Sequence, residues 1–422
     1  MKRLPTIFAS MILAASAIPM LAQQEVHVDI DRSRAAAAVN ISIPDPTVTG
    51  VPTPAVQDFE RTLLHDVLYA GFFTVIPLPP GIPATPAVAK KAGAQALLET
   101  SVAQEGTNYV VEARLYDVSA GKLLMGRRYR GSPESVIRIA HTVANDLVLY
   151  FNGRPGVFLT QIAFVSDRTG QKELFLMDYD GSNQRQITFH HSITLSPSWA
   201  ADDERLVYTS FWKGTSNLYV MNRRGGGRIR IDTSLNLNTA PKFSPNGHDI
   251  AFVGSRNGNP DIYVVQDDGT NLRRLTTDWS IESTPSFSPT GRQIAFVSGR
   301  SGSPQIYVMD AEGSNVRRIS FEGDWNDDPV WSPDGEQLAY TSRVNGRFQI
   351  RIMNLVTRQS RIIVGEGSNE QPTWSPDGQA IMFTSNRSGR YQIYRVGADG
   401  EGLKQLTFDG ANTAPAWSNR IQ

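Results

Sequence analysis

From residue 160 onward the apolar positions fall in short runs rich in β-branched and aromatic residues, each closed by a turn containing Gly or Pro. Runs of this kind, separated by reversals, predict antiparallel hairpins rather than helices. Ile250-Ala251-Phe252-Val253, Ile294-Ala295-Phe296-Val297 and Leu338-Ala339-Tyr340-Thr341 read as one strand of a repeating unit, and Leu218-Tyr219-Val220-Met221, Ile262-Tyr263-Val264-Val265 and Ile306-Tyr307-Val308-Met309 as the next. A Gly turn and a short fourth strand follow, as in Arg274-Leu275-Thr276. Ahead of them stands a Pro-x-aromatic strand that begins at Pro197, Pro241, Pro285, Pro329, Pro372 and Pro415, with spacings of 44, 44, 44, 43 and 43 residues. A period of roughly 40–50 residues is that of a four-stranded propeller blade. The first unit opens directly on its second strand, Ile162-Ala163-Phe164-Val165, whereas the last motif, Pro415 to Ser418, is a first strand with no unit after it. Joining these ends predicts a six-bladed all-β propeller closed by the C-terminal strand, which removes an exposed sheet edge.

Residues 23–155 do not repeat and predict a small N-terminal α/β domain. Phe59, Leu63, Val67 and Ala70 share one helical face within 54–70. A strand at 72–76, a Pro-rich loop at 77–86, a short helix and strands near 96–102, 109–116 and 123–129 follow. Ser132, with Pro133 behind it, is expected to cap a helix that runs to about Phe151. The alternating stretch Glu25-Val26-His27-Val28-Asp29-Ile30 reads as an edge strand or a mobile arm.

Lys2 and Arg3 precede an apolar run from Ile7 to Leu21, broken by Ser10, Ser16 and Pro19, which predicts a secretory signal peptide over 1–22. The expected division is therefore signal peptide 1–22, α/β domain 23–155 and propeller 156–422. The chain has no cysteine, which excludes disulfides, thiolate metal sites and a lipid-modified N-terminal Cys. Basic and acidic residues both number 41, so no global basic field favours nucleic acid.

Taken together, the signal peptide, the α/β domain, the junction from Gly156 to Phe164, and repeats of the Pro-x-Trp-Ser-Pro-Asp-Gly and Ile-Tyr-Val-Met-Asp kind resemble the TolB family of the Tol-Pal system. The resemblance implies a monomeric periplasmic adaptor that supports outer-membrane integrity and cell division. It would bind the peptidoglycan-associated lipoprotein Pal through the propeller and TolA through the N-terminal segment. The sequence departs from the pattern at Ala200-Ala201-Asp202-Asp203, in place of the usual turn, and at Arg351, where other third strands carry Tyr.

In a propeller, the loops entering the first strands and those between the second and third strands open on one face. Asn238-Thr239, Glu282-Ser283-Thr284, Asp327-Asp328, Asn369-Glu370 and Asn412-Thr413 lie just before the repeated prolines, and as a polar ring they suit a protein epitope. Glu25 to Ile30 are the expected second contact. Glu282, Asp327, Asp328 and Glu370 offer oxygen ligands, but no metal-binding pattern accompanies them, and neither metal nor cofactor is expected. Arg168, Arg256, Arg300, Arg343 and Arg387 recur near a Gly and are expected to form inter-blade ion pairs or stacks. Trp199, Phe243, Phe287, Trp331, Trp374 and Trp417 are expected to pack between sheets. A hydrolase reading would need a nucleophile elbow in a further domain, for which the sequence after Trp417 leaves no room. A glycan-binding module is the other alternative.

Overall fold

The computed structural model describes residues 38–256 and 258–419. The expected signal peptide and the stretch Glu25 to Ile30 lie outside them.

The N-terminal sheet comprises β1 (Val39–Ser42), β2 (Thr47–Thr49), β3 (Phe73–Val75), β4 (Ala96–Glu105), β5 (Asn108–Asp117) and β6 (Lys122–Gly131). Its order is β3-β1-β4-β5-β6, with β2 beside β4; β1 runs parallel to both neighbours, and β4, β5 and β6 form an antiparallel meander. Helices α1 (Thr53–Tyr69), α2 (Pro86–Ala92) and α3 (Val136–Asn152) complete the domain. Helix α1 buries Val56, Phe59, Leu63 and Val67, the stripe expected of a 3.6-residue period. Helix α2 is capped by the Thr85 hydroxyl, which accepts from Val88 N at 3.3 Å, and it ends on Gly93 at φ 94°. The Ser132 side chain does not cap α3. A single tight turn, Pro133–Ser135, intervenes, and the Ser132 carbonyl accepts from both Ser135 N and Ser135 Oγ instead.

Six four-stranded sheets follow. Counting the closing blade as blade 1, the first strands of blades 2 to 6 are Thr194–Trp199, Leu237–Phe243, Glu282–Phe287, Trp325–Trp331 and Asn369–Trp374. Blade 1 takes its first strand from Asn412–Trp417, antiparallel to Gln161–Ser166, with Asn412 opposite Ser166 and Trp417 opposite Ile162. The fold is thus a small α/β domain joined to a six-bladed propeller closed by its C-terminal strand.

The repeated aromatics clamp blade to blade. Trp199, Phe243, Trp374 and Trp417 are buried, while Phe287 and Trp331 are half-buried. The indole nitrogens of Trp199, Trp331 and Trp374 donate to Ala416 O, Ser286 O and Val330 O of the preceding first strand, at 3.0–3.2 Å. Trp417 Nε1 instead donates to Thr160 Oγ1, just ahead of the second strand of blade 1, at 2.8 Å, and so ties the two strands of the seam together. The departure at Asp203 also serves closure. Asp203 occupies the left-handed position (φ 55°) that Gly247, Gly291, Gly335 and Gly378 fill in other blades, and its carboxylate accepts from Asn419 N at 2.7 Å. Arg351 pairs with Glu322 and donates to Ser360 Oγ at 2.9 Å.

The domain packs on one end of the propeller. Its core is continuous with Ile162, Phe164, Phe175, Met177 and Trp417 of blade 1 and with Ala380, Met382, Ile393 and Leu406 of blade 6. At the junction Asp66 is fully buried. It is hydrogen-bonded to His141 Nδ1 at 2.6 Å and accepts from the Tyr179 hydroxyl of blade 1, while Arg395 of blade 6 stacks over Tyr69 at 4.3 Å.

Candidate functional site: the loop-bearing propeller face

The ladders fix which loops share an end. In blade 4, Glu282 at the start of the first strand pairs with Ser298 at the end of the second, and Ser298 pairs with Gln305 at the start of the third. The loops entering the first strands and the second-to-third hairpins therefore open on one face. Tyr179 and Asp377 lie in turns at the opposite end, and Tyr179 bonds Asp66 of the N-terminal domain. Among the described residues, that domain packs at the end opposite the loop-bearing face.

The polar ring divides by position along each strand. Asn238, Glu282, Asn369 and Asn412 are buried in the blades and hold the loops together. Glu282, with no exposed surface, accepts from Ser298 Oγ at 2.7 Å and pairs with Arg300 at 2.9 Å; burial nevertheless pushes its carboxyl above the usual range. Asn369 accepts from Arg387 and Asn412 from Arg168, both at 3.0 Å. These side chains have no surface to offer a partner.

Thr239, Ser283, Thr284, Asp327, Asp328, Glu370 and Thr413 are half-buried. A bulge in every first-strand ladder separates them from the buried proline. The residue just before each proline, namely Ser196, Ala240, Thr284, Asp328, Gln371 and Ala414, is left-handed, with φ between 43° and 57°. For a non-Gly residue this conformation costs about 1–2 kcal/mol. Its recurrence in all six blades marks it as imposed by ring geometry.

The bulged residues link neighbouring blades. Thr284 Oγ1 donates to Asp327 Oδ1 at 3.0 Å, Gln371 N donates to Thr341 Oγ1 at 3.1 Å, and Ala414 N donates to Gln371 Oε1 at 2.9 Å. Burial, with Asp327 and Glu370 adding to it against Lys242, pushes Asp328 up to about 8. Burial likewise lowers Lys242. Among the described residues there is no group of three or more His, Cys, Asp or Glu side chains placed to hold a metal ion.

The recurrent arginines stack within their own blades rather than pairing between blades. Arg168 lies 4.8 Å from the Phe175 ring, Arg300 5.0 Å from Tyr307 and Arg387 5.0 Å from Tyr394, each also bonded to a Ser of its second strand. Arg343 instead covers Trp325 and pairs with Asp324, and Arg256 is exposed.

The feature that sequence reasoning missed is an apolar rim on this same face. Trp279 is 98% exposed, Phe408 75%, Phe321 71% and Phe189 58%, and all four lie in loops entering first strands. Ile281, Ile193 and the hairpin residue Trp212 extend the rim. Each rim aromatic follows a buried Thr or Ser, Thr188, Thr276, Ser320 or Thr407, that anchors the loop by accepting from a third-strand N–H at 2.8–2.9 Å. Large apolar residues in what should be polar turns were the available signal.

Known proteins show the same architecture. The TolB beta propeller domain family matches residues 150–420. The Tol-Pal system protein TolB of Geobacter metallireducens is 41% identical over 115 residues, 27% of each chain. A TolB homolog of Chlorobium chlorochromatii is 31% identical over 177 residues, 40% of each chain. These alignments cover well under two thirds of the relatives' lengths. The crystal structure of TolB from Acinetobacter baumannii superposes with a TM-score of 0.77 and 26% identity, covering 91% of this chain and 97% of that one. With a family match over most of its length, blades and seam included, the chain belongs to the TolB β-propeller family of the Tol-Pal system.

Proposed function

We propose that this protein is a non-catalytic periplasmic adaptor of the Tol-Pal assembly, docking the peptidoglycan-associated lipoprotein Pal on the loop-bearing propeller face and contacting TolA through its N-terminal segment. The observation that carries the reading is the apolar rim. Trp279, Ile281, Phe321, Phe408 and Phe189 expose large side chains around one mouth, on the face opposite the described part of the N-terminal domain. Aromatic residues gathered on a rigid face and surrounded by polar groups are the anatomy of a protein interface. Thr239, Ser283, Thr284, Asp327, Asp328, Glu370 and Thr413 would supply the polar contacts. The TolA contact, at Glu25 to Ile30, rests on the family resemblance. Among the described residues no helix is long and apolar enough to cross a membrane.

The test is calorimetric titration of the purified protein with the soluble domain of Pal. Trp279→Ala combined with Phe321→Ala should weaken binding by at least about 2 kcal/mol, the scale of interface hot spots, with unchanged circular dichroism. Deleting residues 23–31 should abolish capture of TolA and leave Pal binding intact. Undiminished Pal binding by the double variant would overturn the assignment of the face.

A further inference from the structure

A cleft of about 400 Å³ opens on this face between blades 5 and 6, lined by Arg347, Glu366, Gly367, Ser368, Asn386 and Arg387. Its walls are two extended hairpins and, between them, the loop 366–368 that enters blade 6. Blade 5 carries its ladder out to Val344 opposite Arg347, around Asn345 and Gly346 at φ 51° and 78°, and blade 6 carries its own out to Ser388 opposite Arg390, around Gly389. The corresponding strands of blade 4 stop at Ser298 and Gln305. Both left-handed turn positions in blade 5 match the type I′ turn that two-residue hairpins favour, so this wall is built into the backbone.

We infer that this cleft receives a carboxylate side chain from an extended segment of the protein partner. The inference rests on the docking role of this face proposed above. Two guanidiniums line the cleft. Arg387 is held in place by donating to Glu366 O and Asn369 Oδ1, both at 3.0 Å, and by stacking on Tyr394. Arg347 is exposed and makes no ion pair among the described residues. Asn386 uses its carbonyl oxygen to accept from Ser368 N at 2.9 Å, which leaves its amide hydrogens as donors. A planar guanidinium with free N–H groups beside a fixed one suits the two oxygens of a carboxylate. Glu366 is the single carboxylate among the lining residues and opposes such a ligand.

The setting favours a protein segment over a free anion. Phe321 lies in the loop entering blade 5 and Phe408 in the loop leaving blade 6, so exposed aromatics flank the cleft on both sides. A charged slot between apolar anchors fixes the register of a chain laid across the face.

The experiment measures binding of the soluble Pal domain by the full mature protein and its Arg347→Glu, Arg347→Lys and Glu366→Gln variants at low and moderate salt. Arg347→Glu should weaken binding at least about tenfold at low salt, and less at higher salt as screening grows. Arg347→Lys should weaken it less, and Glu366→Gln should strengthen it. Wild-type affinity in Arg347→Glu, with Pal still bound, would overturn this inference and leave the docking role standing. No Pal binding by the wild type would remove the docking role itself. Retention on purified peptidoglycan that requires Arg347 in the absence of Pal would overturn the assignment to a protein segment.

Discussion

Replacing Trp417 by Ala tests whether the terminal strand holds the ring shut. The indole is buried at the seam, packs with Ile162 and Phe164 of blade 1, and gives its N–H to Thr160 Oγ1 at 2.8 Å. Truncating a buried Trp costs about 3–5 kcal/mol, cavity included, and the lost hydrogen bond is worth about 1 kcal/mol of such a total. The adjoining blades retain their own ladders, so the loss should fall on the seam. Native-state amide exchange reads it directly. Protection along Gln161–Ser166, the strand paired with Asn412–Trp417, should drop by roughly 100-fold or more, since each 1.4 kcal/mol is a factor of ten. Protection in blades 3 and 4 should change far less. Trp417→Phe, which keeps most of the buried ring, should lose only about 1–2 kcal/mol. If Gln161–Ser166 exchanged at the wild-type rate in Trp417→Ala, this strand would not be what closes the ring.

Two further outcomes are expected. Arg300→Ala strands the buried Glu282 carboxylate and should cost about 3 kcal/mol, at the low end for a broken buried pair because Arg300 remains partly exposed; restoring near-normal urea stability with Glu282→Gln in the same background is the check, and failure to do so would argue against charge stranding. At the domain junction, burial opposes ionisation of both Asp66 and His141, but their mutual hydrogen bond and attraction prevail, lowering the carboxyl and raising the imidazole. The Asp66 contribution is present above its ordinary value near 4 and lost as pH falls through its lowered one; the His141 contribution is complete below about 6.5 and lost as pH rises through its raised one. Thermal melts should therefore show a stability maximum between these limits whose alkaline slope is shallower in His141→Asn, and parallel profiles would contradict the ion pair.

The blades were legible because a buried aromatic and a proline recur at nearly fixed spacing, a pattern that packing between sheets demands at every junction. The polar ring was less legible. Simple alternation along Glu282, Ser283, Thr284 and Pro285 would not bury both Glu282 and Pro285, but the bulge inserts a residue and resets the parity. That bulge is hard to foresee, since a residue before proline ordinarily favours extended backbone. In the loops entering blades 2, 4, 5 and 1 the polar residues next to the prolines drew the functional reading, although Phe189, Trp279, Phe321 and Phe408 are costly residues to leave in water without a purpose. The Asp203 departure is legible only as a break in the repeated turn. Its role depends on Asn419, 216 positions away, and no local pattern carries that information.

The seam has a temporal consequence. Trp417 and its partner Thr160 are 257 positions apart, so the join needs a strand that follows nearly every other blade strand along the chain. Until then the molecule is an open crescent, with Gln161–Ser166 presenting a bare strand edge of the sort that recruits wrong partners. A chain lacking Asn412–Trp417 would leave that edge permanently unsatisfied, so this one strand decides whether the crescent ever becomes a ring.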